Sequence, residues 1–170
     1  VYAALCRQLD KPLCIVTPGE AEATRFAADL NTLGIPAAVF PARDYVLRPI
    51  EGTAREYEYR RLAVLGELVG GRLRAVAVPA EALTQFTTPK EDFCANTRTL
   101  HAGDTLLRDD LLAALFGAGY TRRAQVDGPG QFSVRGDIVD IFAPDQKMPV
   151  RMEFWGDEID TLHTFDPVSY

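Results

Sequence analysis

Two segments of alternating apolar and polar residues lie on either side of a single Gly156-Asp157 pair. Residues 150–155 precede the pair and residues 158–165 follow it. Glycine adopts the positive φ that a type II′ turn requires, so a Gly-Asp link between two such segments predicts an antiparallel hairpin. Residues 132–134 and 138–142 show the same alternation nearby. The C-terminal part of the chain is therefore predicted to contain a small antiparallel sheet.

The N-terminal half follows a different pattern. Residues 13–16 and 37–40 are short apolar segments, and the residues between them have apolar side chains at helical spacing. Thr17 and Glu20 have the spacing of a capping box, with Pro18 at the first helical position, so the helix is predicted to begin directly after Thr17. Gly34 and Pro36 mark its end. A strand, a helix and a second strand in this order predict a parallel, Rossmann-like sheet.

The same pattern continues to about residue 86. A loop from Pro41 to Pro49 leads to a second amphipathic helix at about residues 53–69, with Leu62, Leu65 and Val69 on one stripe. A buried strand at residues 75–78 and a helix from Pro79 to about Phe86 follow. The apolar pattern then lapses, so we predict two domains, residues 1–95 and 96–170.

The second domain combines helical and strand patterns. Residues 97–101 are a possible strand, and the leucines from Leu107 to Leu115 with Phe116 predict one amphipathic helix that Gly117 and Gly119 end. The predicted fold class is therefore α/β, with a Rossmann-like parallel sheet in the first domain. The second domain is predicted to be a small α+β domain with an antiparallel sheet.

Composition limits the function. The formal net charge of −6 argues against a broad nucleic-acid surface, because non-specific binding depends on Lys and Arg neutralising phosphates. Cys6, Cys14 and Cys94 form no CxxC pair, which favours a reducing compartment such as the cytoplasm. No apolar run approaches the roughly 20 residues that span a bilayer. We expect a soluble, cytoplasmic protein.

The sequence offers little for catalysis. A nucleotide-hydrolysing loop ends in Lys followed by Ser or Thr, whereas residues 17–24 contain no Lys, and Glu20 and Glu22 would repel phosphate. His101 and His163 stand alone and no Cys neighbours a His, so we expect surface histidines, buried structural thiols and no metal. The carboxylates at positions 157, 158 and 160 are interpreted as a charged hairpin tip. No catalytic residue is predicted.

Residues 150–155 suggest a binding surface. Alternation places Val150, Met152 and Phe154 on a core face, so Arg151 and Trp155 point the other way. An exposed Trp beside Arg has the composition of a binding hot spot, and Arg135 would point outward on its own strand. The alternative is that Trp155 packs under a loop and that the two arginines pair with Glu153 or Asp137 as ordinary surface ions. The residues alone leave both possibilities open.

Long motifs in the second half resemble a known family. Residues 128–142 read GPGQFSVRGDIVDIF, residues 149–160 read PVRMEFWGDEID, and Phe165-Asp166-Pro167 follows. These motifs are similar to the UvrB-homology module, which is shared by UvrB and transcription-repair coupling factors. Residues 40–45, FPARDY, and the Arg61-Leu62 pair look more like the coupling factors. The resemblance covers nearly the whole chain.

The resemblance implies that the two domains have different functions. It implies a degenerate, ATPase-dead first domain and a second domain that binds UvrA through positions matching Arg135, Arg151 and Trp155. The parent protein would be an ATP-dependent DNA translocase. Its translocase and RNA polymerase-binding parts, with their ATP, Mg²⁺ and double-stranded DNA, would lie outside this chain. Pro129, Ser133 and Asp137 depart from the residues usual in the family.

Two classes of function follow from these observations. The first is a UvrA-binding interaction module, for which Arg151→Ala or Trp155→Ala is expected to weaken binding without unfolding the domain. The second is an enzyme, either the N-terminal part of the UvrB helicase or another nucleotide-binding Rossmann-like protein. Stabilisation by ATP would distinguish the second class from the first, because a ligand selective for the native state raises its melting temperature.

Overall fold

The chain forms two compact units. A computed structural model describes residues 1–43 and 53–168, with side chains from residue 56 onward in the second range. Unit 1 comprises Val1–Asn96 and unit 2 comprises Thr97–Tyr170. The sequence-based boundary after residue 95 differs from this division by one residue. Among the described residues, no helix is both long enough and apolar enough to cross a membrane.

Unit 1 is built on a three-stranded parallel sheet. Its elements in chain order are α1 (Tyr2–Gln8), β1 (Leu13–Thr17), α2 (Glu20–Thr32), β2 (Ala37–Val39), α3 (Thr53–Val69), β3 (Ala75–Pro79), α4 (Ala80–Leu83) and α5 (Lys90–Ala95). The strand order is β1-β3-β2, and both pairings are parallel. The predicted parallel sheet is confirmed.

The central strand β3 is buried along its whole length. Ala75 and Ala77 pack on the side of α1 and α2, whereas Val76 and Val78 pack with Val64 of α3. A strand covered on both faces has a continuous apolar sequence rather than an alternating one, which is what AVAV at residues 75–78 shows.

The predicted start of α2 is wrong in detail. Thr17 is the last residue of β1, and its hydroxyl donates to the Gly19 carbonyl at 2.8 Å instead of capping the helix. Gly19 is the N-cap, and no side chain caps this end of the helix. Thr17 is buried and pairs with Pro79 in the sheet, so strand pairing takes priority over the capping box.

A buried cation organises the other side of unit 1. Arg61 of α3 is 8% exposed and donates to the carbonyl of Pro41 at 2.9 Å and to the Thr87 hydroxyl at 2.7 Å. Its guanidinium lies 4.2 Å from the centre of the Phe40 ring, where a cation is attracted to the aromatic face. Arg61 thus connects Pro41, which follows β2, with Thr87, which follows α4, through hydrogen bonds.

Other expectations for unit 1 need correction. Helix α4 ends at Leu83 rather than near Phe86, since Gln85 instead bonds the backbone of Arg43 in both directions. Helices α1 and α5 were not predicted. Val69 of the expected apolar stripe is 44% exposed. The predicted motif residues Asp44 and Tyr45, and the end of the loop at Pro49, lie outside the described residues.

The prediction of three buried thiols is wrong for two of them. Cys6 is buried under α2, but Cys14 and Cys94 are exposed. Cys14 lies on the outer strand β1, on the face opposite buried Ile15. Cys94 lies in α5, a six-residue helix with no buried residue. His101 and His163 are exposed, as predicted.

Unit 2 is a helix packed on a five-stranded sheet. Its elements are α6 (Arg108–Gly117), β4 (Thr121–Arg122), β5 (Gln131–Arg135), β6 (Ile138–Phe142), β7 (Val150–Trp155) and β8 (Glu158–Thr164). The strands lie in chain order, β4 to β8, with β4 parallel to β5 and the other pairs antiparallel. Residues 97–101 do not form the strand that the sequence suggested.

Two Gly-Asp hairpins set the register of this sheet. Arg135 pairs with Ile138 across Gly136-Asp137, and Trp155 pairs with Glu158 across Gly156-Asp157. The two glycines have φ of 59° and 62°, and no described residue other than glycine has a positive φ. The tight turn predicted at Gly156 is therefore confirmed, and β5-β6 has the same kind of turn.

The core of unit 2 lies between α6 and one face of the sheet. Leu111 and Leu115 of α6 pack with apolar residues of β5 to β8, namely Phe132, Val139, Ile141, Met152, Phe154 and Ile159. The predicted inward direction of Met152 and Phe154 is confirmed. We call the opposite side of the sheet the outer face.

A candidate protein-binding face on the antiparallel sheet

The outer face carries a row of polar residues across four strands. Ser133 pairs with Asp140, Asp140 with Arg151, and Arg151 with His163. Residues paired directly across antiparallel strands lie on the same side of the sheet, so their side chains meet. Arg135 lies two residues beyond Ser133 on β5 and therefore on this face as well.

Asp140 is the centre of this row. It is 0% exposed although it lies on the face opposite the core, between buried Val139 and Ile141. Arg151 donates to both carboxylate oxygens, from Nε to Oδ1 at 2.7 Å and from Nη2 to Oδ2 at 2.9 Å. Such a two-point contact fixes the plane of the guanidinium as well as its position.

Asp140 also binds Arg135 and Ser133. Nη2 of Arg135 donates to Oδ2 at 3.1 Å, and the Ser133 hydroxyl lies 3.4 Å from the same oxygen. A buried carboxylate is costly unless it is paired and hydrogen-bonded, and two guanidinium groups meet that requirement here. We call Asp140, Arg135 and Arg151 the carboxylate-arginine cluster.

The two arginines differ in exposure. The side chain of Arg151 is 21% exposed, and its guanidinium lies 4.6 Å from the centre of the Phe165 ring. The side chain of Arg135 is 45% exposed. Arg151 is thus held between a carboxylate and an aromatic ring, whereas Arg135 presents more of its surface to solvent.

Trp155 ends β7 on the same face. Its side chain is 83% exposed, so the possibility that it packs under a loop is wrong. It lies four residues beyond Arg151 on one strand, and alternation gives both the same direction. The pairing of β7 with β8 shifts by one residue between Glu153 and Phe154, so Asp160 forms a β-bulge in β8. On the hairpin side of this bulge, Trp155 pairs with Glu158.

The alternative interpretation paired the two arginines with Glu153 or Asp137. Arg135 and Arg151 both form ion pairs with Asp140. Asp137 instead bonds Arg108 of α6 at 3.0 Å. Asp140, which the sequence analysis did not single out, takes both arginines.

Two departures from the family pattern have local roles. Ser133 is 2% exposed and lies beneath the face, against Asp140, so it is not part of the exposed surface. Asp137 lies in the β5-β6 turn and is fixed by Arg108, which also donates to the Gly136 carbonyl at 2.8 Å.

The turn between β1 and α2 is acidic. Glu20 and Glu22 lie in the first turn of α2, and Glu20 is 3.5 Å from a guanidinium nitrogen of Arg60. Negative side chains at a helix N-terminus interact favourably with the positive end of the helix dipole. They repel an anionic ligand that would bind at the same position. That this unit does not hydrolyse ATP stays a prediction.

The family match concerns the unit that carries the outer face. Residues 99–170 match the family described as "UvrB interaction domain". Residues 99–170 therefore belong to this domain family.

Relatives extend the match to unit 1. The chain is 38% identical to a transcription-repair-coupling factor of Mycobacterium tuberculosis over 97% of its own length, and 28% identical to that of Bacillus subtilis over 96%. It is 34% identical over 79% of its length to the UvrABC system protein B of Chlorobaculum tepidum. The chain spans 14% of the two coupling factors and 20% of the UvrABC protein.

Proposed function

We propose that unit 2 binds the DNA-repair protein UvrA through Arg135, Arg151 and Trp155 on the outer face. The observation that carries this proposal is an 83% exposed Trp155 on the same face as two arginines that share one buried carboxylate. Large aromatic side chains and arginines dominate the energy of many interfaces, because they bury much area and form directional bonds.

The relatives support a wider role as part of the same proposal. In this proposal the chain recruits UvrA to stalled RNA polymerase, which begins transcription-coupled nucleotide excision repair. The longer protein is an ATP-dependent translocase on double-stranded DNA and binds RNA polymerase with other segments. The chain of net charge −6 does not bind DNA itself, takes no cofactor and acts in the cytoplasm.

Trp155→Ala is expected to weaken UvrA binding by about 30-fold, which corresponds to ~2 kcal/mol for the loss of a central aromatic anchor. Isothermal titration of the 170-residue chain with purified UvrA measures the affinity. The melting temperature should not change, since a side chain this exposed contributes little to folding.

Phe86→Ala is the matched control. Phe86 is another highly exposed aromatic residue, but it lies in unit 1. UvrA affinity should be unaffected by this change. Equal affinity of wild type and Trp155→Ala, or an equal loss for Phe86→Ala, would contradict the proposed site.

The parallel sheet of unit 1 favours one rival function, nucleotide binding. We expect ATP with Mg²⁺ at millimolar concentration to leave the melting temperature of the chain unchanged, because Glu20 and Glu22 occupy the start of α2. Differential scanning fluorimetry with and without nucleotide measures this. A ligand at about 100 times its Kd stabilises a protein by ~2.7 kcal/mol. A clear rise in the melting temperature with ATP would therefore support nucleotide binding by the chain.

A further inference from the structure

We propose that Asp140 is a positioning residue for the UvrA-binding face. It sets the affinity by holding Arg135 and Arg151, without touching UvrA. This inference rests on the proposed function and adds to it a residue that lies beneath the binding surface. The inference explains what holds the guanidinium groups of Arg135 and Arg151 in place on the outer face.

Burial excludes a direct contact. Asp140 is 0% exposed on β6, the middle strand of five, and its neighbours Val139 and Ile141 face the core. A partner that docks on the outer face meets the arginines and Phe165 above it. Any effect of Asp140 on affinity must therefore act through those side chains.

Asp140 restricts two side chains that are otherwise flexible. Arginine has several rotatable bonds, and ordering it when a complex forms costs conformational entropy. The fork of bonds from Arg151 to Oδ1 and Oδ2 orders that guanidinium before UvrA arrives. The bond from Arg135 to Oδ2 restricts the second one.

Asp140 also lets two cations lie close together. Nη2 of Arg151 and Nη2 of Arg135 lie 2.9 Å and 3.1 Å from the same carboxylate oxygen. Two guanidinium groups at this separation would repel each other without an anion between them. The carboxylate-arginine cluster keeps a net charge of +1 and presents it to a partner with carboxylates at its surface.

Asp140→Asn tests the inference because it keeps the shape and removes the charge. We expect UvrA affinity to fall by about tenfold or more, since both charge-assisted contacts weaken. Titration calorimetry with the 170-residue chain and UvrA measures the affinity, and circular dichroism of each variant checks that it is folded. Asp166→Asn, an exposed aspartate in the same unit, is the matched control and should bind as wild type.

A double-mutant cycle separates positioning from a general loss of structure. If Asp140 acts through Arg151, Asp140→Asn should reduce affinity by less than about threefold once Arg151 is alanine, because coupled residues are not additive. A purely structural role would reduce affinity by the same factor in both backgrounds, and that result would overturn the inference.

If Asp140→Asn does not fold, the neutral pair Asp140→Asn with Arg151→Gln replaces it. In that background Arg135→Ala should cost clearly less affinity than in the wild type, since Arg135 is no longer held. An equal cost would overturn the inference. Wild-type affinity of Asp140→Asn would likewise overturn it while leaving the proposed function intact, whereas a wild-type chain that does not bind UvrA would refute the proposed function itself.

Discussion

Arg151→Ala should lower the free energy of unfolding of unit 2 by about 3 kcal/mol, because it removes the main partner of a buried carboxylate and leaves the weaker contact from Arg135 to compensate the charge. Asp140 is 0% exposed and would lose the two-point contact at 2.7 Å and 2.9 Å. Phe165 would also lose the guanidinium against its ring. Urea denaturation of the 170-residue chain, followed by circular dichroism, measures the change.

Arg135→Ala is the control for this effect. Its side chain is 45% exposed and gives Asp140 one bond at 3.1 Å, so its loss should cost only about 1 kcal/mol. Equal stabilities of the Arg151→Ala and wild-type chains would show that Asp140 does not depend on this contact. Because Arg151 supports buried Asp140 and Trp155 is exposed, Trp155→Ala is the variant that separates UvrA binding from stability.

Phe132→Ala should lower the free energy of unfolding of unit 2 by about 4 kcal/mol, the usual range for removing a buried aromatic side chain. Phe132 is 0% exposed in the centre of the core, and its ring meets that of Phe116 edge-on at 5.0 Å between centroids. The cavity left by the ring cannot close fully, because both α6 and β6 border it.

Phe116→Ala is the matched change on the helix side. It removes the same ring pair, but Phe116 is 55% exposed, so the loss should be about 1 to 2 kcal/mol. Urea titrations of both variants measure the difference. A Phe132→Ala chain as stable as Phe116→Ala would contradict the central place of Phe132 in the core.

Local patterns were enough to predict the hairpin and the outer face. Strict alternation separates Met152 and Phe154 from Arg151 and Trp155, and this separation depends only on the geometry of a strand. Gly156 could be assigned to a turn because its positive φ suits few other residues. The parallel sheet of unit 1 followed from the order of its elements.

Non-local pairing could not be predicted in the same way. Asp140 stands between Val139 and Ile141, and a charged residue among such apolar neighbours is a signal that a partner exists. Naming the partner requires the register between β6 and β7, which depends on the length of the connection and the packing of the whole sheet. The sequence therefore placed Arg151 on the outer face but did not identify Asp140 as its partner.

Competition between local and tertiary preferences explains the errors in unit 1. Thr17 has the sequence of a helix cap, yet the sheet buries it as a strand residue. Cys14 is apolar enough for a core, but β1 is an edge strand and one of its faces stays open. In each case segments that are distant in sequence determine whether the residue is buried. A short stretch of local sequence does not contain those segments.

The carboxylate beneath the outer face has an evolutionary consequence. Asp140 holds the two guanidinium groups of the outer face from a fully buried position. An exchange at this interior position would alter how strongly the surface attracts a partner while leaving the identity of every exposed residue unchanged. Homologues with identical contact residues could therefore differ in affinity, and a comparison restricted to exposed residues would not detect the cause.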